Sequence, residues 1–138
     1  MQTKKIETTI SQPVEKVWEY FNSPEHITKW NFATDEWHCP HAENNLATSG
    51  KFTYRMEAKD GSAGFDFAGT FDKIVPNERI EYHLDDNRKV QVLFEAADEN
   101  TTKVTQIFEV EENNDAEMQR QGWQLILDNF KKYAESNS

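Results

Sequence analysis

The chain has 138 residues, of which 36% are hydrophobic and 29% charged, a balance typical of one globular domain with its own core. Its formal net charge of -10 disfavours contact with phosphate backbones or anionic lipid headgroups, so we expect neither nucleic-acid nor membrane binding. The single cysteine excludes an intrachain disulfide, and no apolar run predicts a signal peptide or a membrane span. We therefore expect a single cytoplasmic domain over residues 1–138.

The first predicted elements are a strand and two short helices. Residues 3–10 predict the strand, because their isoleucines fall on one side of an extended chain. After Pro13 the apolar residues recur at helical spacing, which predicts an amphipathic helix. A second short helix is expected to begin at Pro24, with Ser23 as its cap. Residues 31–47 follow no clear pattern, and we assign them no element.

From Thr48 onward the apolar period changes to two, which predicts five antiparallel strands joined by short turns. Asp60-Gly61 is the strongest of the turn signals. Together with the first strand, the meander predicts an α+β fold with about six strands, one dry face and one wet face. The side chains with inward phase include Phe52, Tyr54, Met56, Phe65, Phe67, Phe71, Ile80, Tyr82, Leu84, Val90, Val92, Phe94, Val104, Gln106 and Phe108.

The last predicted helix begins at an Asn114 or Asp115 cap and ends near Glu135, a length of roughly 30 Å. Its apolar arc covers roughly 200°, against ~100° for a helix on a flat surface, so we expect a curved sheet to wrap both flanks. Gly122 lies inside this arc, where glycine costs up to about 1 kcal/mol relative to alanine. Either its backbone contacts a strand closely or it leaves space for a guest molecule. The sequence favours close packing.

Three strings of the sequence resemble a known family. They are PVEKVWEYFNSPEHITKW at residues 13–30, GTFDKIVPNERIEY at residues 69–82 and GWQLILDNFKKY at residues 122–133. With the order of elements, they make the chain resemble the START-like (SRPBCC) superfamily, and within it the family related to activators of the heat-shock-protein-90 ATPase. The resemblance implies a single START-like domain with a helix-grip fold: a curved antiparallel sheet around a long C-terminal helix.

The resemblance also implies a cavity between the sheet and the last helix, in which relatives hold lipids, polyketides, hormones or other apolar molecules. Strand or helix phase places the polar side chains of Tyr82, Gln106 and Gln119 inward as well. A ligand could satisfy these polar groups, and so could each other, the backbone or water. The candidate ligand-binding residues are Trp30, Phe52, Tyr54, Met56, Phe67, Tyr82, Phe94, Gln106, Gln119, Trp123, Ile126 and Phe130.

The richest cluster of reactive side chains is EWHCPH at residues 36–41. His38, Cys39 and His41 are suitable zinc or copper ligands, but a structural zinc site draws on two separated clusters and the sequence has no second one. A nucleophilic Cys39 with a neighbouring histidine as base is also disfavoured, because sequence neighbours rarely have the required geometry. We therefore expect ordinary loop residues here, and no metal or cofactor.

Among three functions, the sequence favours the non-catalytic binding of a small hydrophobic or aromatic molecule, its only expected partner, by a monomer or weak homodimer. The first alternative is an enzyme of the cyclase or hydrolase type acting on such a ligand, for which no catalytic residues can be assigned. The second, implied by the resemblance alone, is a co-chaperone-like protein-binding module that stimulates a heat-shock-protein-90 ATPase.

Overall fold

The computed structural model describes residues 2–137, which form an antiparallel sheet and three helices. The predicted α+β helix-grip fold is confirmed, although the described residues contain seven strands rather than about six. The strands are β1 (Thr3–Ile10), β2 (Trp37–Asn44), β3 (Lys51–Ala58), β4 (Gly64–Val75), β5 (Arg79–Leu84), β6 (Lys89–Asp98) and β7 (Thr101–Glu109). The helices are α1 (Val14–Asn22), α2 (Pro24–Ile27) and α3 (Ala116–Ser136).

Strand β2 is the element that the sequence pattern did not predict. It lies at the edge of the sheet, paired only with β3, and its register shifts between His38 and His41. Pro40 falls within that shift, which is possible because an edge strand with a bulge does not need every backbone N–H for pairing. The proline and the bulge together remove the alternation of apolar and polar residues by which a strand is recognised.

The sheet has the order β1-β7-β6-β5-β4-β3-β2, and all neighbouring strands are antiparallel. Further register shifts occur in β4, between Phe71 and Lys73, and in β6, between Ala96 and Asp98. Because a bulge bends its strand and increases the local twist, these shifts help the sheet to curl around α3. Its concave face carries most of the buried apolar side chains.

The helix boundaries agree with the sequence signals except for one cap. Asp115 caps α3, accepting hydrogen bonds from the backbone N–H groups of Glu117 and Met118. Pro24 lies in the first turn of α2, as predicted, but the Ser23 side chain makes no capping hydrogen bond. The backbone of α2 therefore begins where expected without the predicted side-chain cap. No helix within residues 2–137 combines the length and the apolar character that crossing a membrane requires.

The sheet wraps only one flank of α3. Leu127 is buried, whereas Met118 and Leu125 on the opposite flank are 70% and 47% exposed. The expectation that both flanks are wrapped was therefore wrong, because the edge of the curled sheet does not extend over that side. The prediction of close packing at Gly122 was also wrong, because a Cβ built there has no atom from another part of the chain within 4 Å. The glycine lies beside open space.

Candidate functional site

A cavity of about 260 Å³ lies between the concave face of the sheet and the N-terminal half of α3. Its wall comes from the inward side of β3, β4, β5 and β7, and from the chain around α1 and α2. The wall includes ten of the twelve candidate residues, namely Trp30, Phe52, Tyr54, Met56, Phe67, Tyr82, Gln106, Gln119, Trp123 and Ile126. Whether these residues bind a ligand stays a prediction.

The other two candidates, Phe94 and Phe130, lie away from the cavity wall in the packed core, so the expectation that they line the cavity was wrong. Phe94 packs edge-on against Trp18, at 5.0 Å between ring centroids, and Phe130 packs against Trp30 at 4.7 Å. They are only 4% and 0% exposed. Their inward phase was predicted correctly, but α1 fills the space above them.

Sequence reasoning missed eight residues of the wall, for two different reasons. Some had visible inward phase but were not chosen, such as Phe71 and Ile80. Arg88 and Glu111 lie in connecting segments, where no periodicity reveals direction. The missed residues are Phe21, Asn22, Asn31, Phe65, Phe71, Ile80, Arg88 and Glu111.

Aromatic rings form most of the apolar wall and pack on one another rather than standing alone. Phe52 stacks on Tyr54 with ring centroids 5.0 Å apart, and meets the edge of Tyr82 at 5.1 Å. On the helix side, Trp123 lies parallel to Phe108 at 4.2 Å. These contacts restrict the rings, so a guest molecule would meet a largely preformed apolar surface.

Two polar side chains on the wall have no protein partner. Tyr82 and Gln106 are 8% and 7% exposed, and within residues 2–137 the Tyr82 hydroxyl and the Gln106 side-chain amide make no hydrogen bond to the protein, although neither is fully sealed from solvent. Burial raises the pKa of Tyr82 well above its usual value, so its hydroxyl remains a neutral donor at physiological pH. Buried polar groups are normally paired, so these two stand out as groups that a ligand can satisfy.

The neighbouring Tyr54 is already partly satisfied. Its hydroxyl accepts a hydrogen bond of 3.1 Å from the Asn44 side-chain amide, and the same amide donates to the carbonyl oxygen of Asn22. Burial raises the pKa of Tyr54 to about 12, which keeps this hydroxyl neutral too. Tyr54 is therefore part of the wall's own hydrogen-bond network, whereas Tyr82 is open to a guest.

One end of the cavity carries an ion pair. Arg88 Nη2 lies 3.2 Å from Glu111 Oε1, and Arg88 Nε donates to Asp86 Oδ2 at 2.8 Å. Gln119 fixes the Glu111 backbone, since its Oε1 accepts from the Glu111 N–H at 2.8 Å and its Nε2 donates to the Glu111 carbonyl oxygen at 3.0 Å. Gln119 is thus satisfied by the protein backbone. Of the two possibilities that the sequence left open, a ligand or the protein itself, the structure shows the protein.

The reactive side chains of residues 36–41 differ in burial. Cys39 is 2% exposed, whereas His38 and His41 lie beside the surface carboxylates Glu57 and Glu43, at 3.8 and 3.6 Å. Burial raises the pKa of the Cys39 thiol, which disfavours the nucleophilic thiolate. Within residues 2–137, no three histidine, cysteine or acidic side chains are grouped closely enough to hold a metal ion.

This architecture coincides with a match to a family model. Residues 11–135 match the model described as "Activator of Hsp90 ATPase homolog 1-like protein". The chain belongs to this family. The match includes every residue of the cavity wall, and it confirms the family and the START-like superfamily that the sequence resembles.

Solved structures of other proteins agree with this assignment. The solution structure of a family member from Aeromonas hydrophila is 41% identical over 99% of this chain and 94% of that one, with a TM-score of 0.91. A protein from Cytophaga hutchinsonii is 47% identical over 96% of this chain and 92% of that one, with a TM-score of 0.82. A Chromobacterium violaceum protein, 21% identical over 98% of this chain and 99% of that one at a TM-score of 0.86, shares the fold alone. Among functionally curated proteins, none matches the chain.

Proposed function

We propose that the protein reversibly binds a small, largely aromatic molecule in the cavity beneath α3. The observation that carries this proposal is the pairing of a ring-lined cavity with two unpartnered polar groups, the Tyr82 hydroxyl and the Gln106 amide. A polar group sealed from water without a partner costs roughly 1–3 kcal/mol, whereas these two face the cavity, where water satisfies them until a ligand replaces it. A ligand with a hydrogen-bonding group on one edge would satisfy them.

The size of the cavity limits what it can hold. An apolar cavity of about 150 Å³ accepts benzene, so the 260 Å³ available here suits a molecule of about two rings. Such a molecule would lie against the faces of Phe52 and Trp123. A long acyl chain would not fit entirely inside this volume and would extend out of the open side of the cavity.

The wall supports binding over catalysis. Among the described residues its one carboxylate, on Glu111, is engaged by Arg88 and Asn114 rather than facing the cavity without a partner. Its two tyrosine hydroxyls hold their protons more tightly than free tyrosine does, which makes them hydrogen-bond donors rather than proton-transfer groups. The thiol of Cys39 is absent from the wall.

Binding can be tested with a panel of uncharged two-ring compounds that includes naphthalene, 2-naphthol and 2-naphthamide. A ligand present at 100 times its Kd should stabilise the fold by about 2.7 kcal/mol, which thermal unfolding detects. Ile126→Phe adds volume at the wall and should abolish the effect, whereas Leu125→Phe changes the exposed flank of the same helix and should leave it intact. If no compound stabilises the wild type, or if both variants respond like it, the proposal is wrong.

The polar contacts can be tested separately from the apolar ones. In a Tyr82→Phe/Gln106→Leu variant, the affinity for 2-naphthamide should fall roughly tenfold or more, because its amide loses its partners. The affinity for naphthalene should hold or rise, since naphthalene cannot use those groups. Equal losses for both compounds would show that the two side chains only support the wall.

A further inference from the structure

The ion pair at the end of the cavity bears on the charge of the ligand. Arg88 is the one basic residue on the wall, and its side chain is only 16% exposed. Alone, such a guanidinium would attract a carboxylate ligand strongly. It is not alone, because Asp86 and Glu111 both contact it, and Glu111 is itself part of the wall.

Glu111 is held in this position from three directions. Its Oε1 faces Arg88, its Oε2 accepts a hydrogen bond from the Asn114 side chain, and its backbone is fixed by Gln119. The Glu111 side chain is 42% exposed, so water reaches one side of it, but it cannot move aside without losing these contacts. An entering anion would therefore meet a second anion on the wall rather than a free cation.

We infer that Glu111 determines the charge of the ligand: by neutralising Arg88 at the cavity wall it excludes carboxylates and restricts the site to uncharged molecules. The inference rests on the proposed function and makes it more specific. The local balance supports it, since Arg88 contributes one positive charge against the two negative charges of Asp86 and Glu111. Tyr82 and Gln106 fit the same ligand, because both are neutral groups suited to a neutral amide, carbonyl or hydroxyl.

The test uses two probes of nearly equal shape, 2-naphthamide and 2-naphthoate, which differ in charge at neutral pH. Wild-type protein should bind the amide roughly tenfold or more tightly than the carboxylate, as measured by isothermal titration calorimetry. Glu111→Gln keeps the shape and an acceptor for Arg88 but removes the charge. It should raise the affinity for 2-naphthoate by roughly tenfold and leave that for 2-naphthamide nearly unchanged.

Glu112→Gln is the matched control, because it removes the same charge from an exposed neighbour that is not on the wall. It should leave both affinities unchanged, which separates a local effect from the net charge of the protein. Adding Arg88→Met to Glu111→Gln should remove the gained affinity for 2-naphthoate, because the cation that attracts the carboxylate is then gone. Thermal unfolding without probe shows whether each variant is folded.

The outcomes separate this inference from the proposed function. If wild type binds the carboxylate as tightly as the amide, or if Glu111→Gln and Glu112→Gln behave alike, the inference is overturned while ligand binding stands. If wild type and every folded variant bind neither probe nor naphthalene, the proposed function itself fails.

Discussion

The two halves of α3 face the same sheet but enclose different interiors. Around Phe130 in the C-terminal half, α1 and α2 complete the packing, and rings from Phe21 and Trp30 lie within 5.2 and 4.7 Å. Around Trp123 in the N-terminal half, α1 contributes only its last two residues, Phe21 and Asn22, to the wall, and the cavity remains. Both halves are rich in aromatic rings, so composition does not explain the difference. What differs is whether α1 and α2 cover the space between α3 and the sheet.

Hydrogen bonds tie both halves of α3 to the rest of the fold. In the C-terminal half, Gln12 donates to the Ala134 carbonyl oxygen and Asn129 donates to the Trp30 carbonyl oxygen, both at 2.8 Å. In the N-terminal half, Gln119 bonds the Glu111 backbone. The halves differ in the sheet opposite them, because only the sheet facing the N-terminal half leaves the side chains of Tyr82 and Gln106 free for a ligand.

The largest expected effect is the loss of stability on Phe130→Ala. Phe130 is fully buried, so the variant loses both burial and packing and should be destabilised by about 3–5 kcal/mol. Phe65→Ala, at the 48% exposed edge of the cavity, should cost less than about 1 kcal/mol. Urea unfolding of the two variants checks the difference. Similar losses at both sites would contradict the division into a packed and an open half.

A second, somewhat smaller effect concerns alkaline pH. Burial raises the pKa of Tyr54 to about 12, so the unfolded chain loses this proton before the folded protein does. Stability should therefore fall as pH rises above about 10, by about 2 kcal/mol for this group once pH reaches about 12. Tyr54→Phe should flatten that slope in urea unfolding measured from about pH 9 upward. A slope equal to that of wild type would indicate that water already fills the cavity and solvates the ring hydroxyl.

Much of this fold follows from local sequence physics, and the cavity wall follows in part. Strand phase correctly placed Phe52, Tyr82 and Gln106 inward, because a side-chain period of two leaves no alternative once one face is dry. The helix caps and turns were equally local, and most were predicted. Once the hydrophobic pattern has placed the strands and helices, their ends and turns are determined by interactions within a few residues of the chain.

The failures have a different origin, because they depend on what covers a residue from elsewhere in the chain. Inward phase does not distinguish Phe94, sealed by α1, from Tyr82, which faces the cavity. Nor does it apply to Arg88 and Glu111, which lie outside regular elements and meet only after folding. Such tertiary coverage cannot be obtained from periodicity, so the open half of the interior was the less predictable half.

A third prediction concerns Gly69, where the floor of the cavity depends on close backbone approach. A Cβ at this position would lie 2.3 Å from the His83 carbonyl oxygen and 2.9 Å from Phe52 Cζ. Gly69→Ala must therefore push β4 from β5 or tilt the Phe52 ring into the cavity, at a cost of roughly 1–3 kcal/mol. Urea unfolding measures this loss, and probe titration should show weaker binding. Unchanged stability and binding would mean that the floor is looser than its contacts imply.

The smallest expected effect has the opposite sign. Gly122→Ala should stabilise the protein by about 0.5–1 kcal/mol, because alanine is the better helix former and its Cβ meets no atom within 4 Å. The gain should appear in thermal unfolding without probe. Gly69→Ala is the contrasting substitution, since the same added methyl group there meets both backbone and ring. If Gly122→Ala instead destabilised the fold, the helix flank would have to pack more closely than it does here. If it gained stability but lost affinity for 2-naphthamide, the ligand would have to occupy or pass through the open space beside Gly122. The glycine would then lower helix stability but keep the cavity accessible.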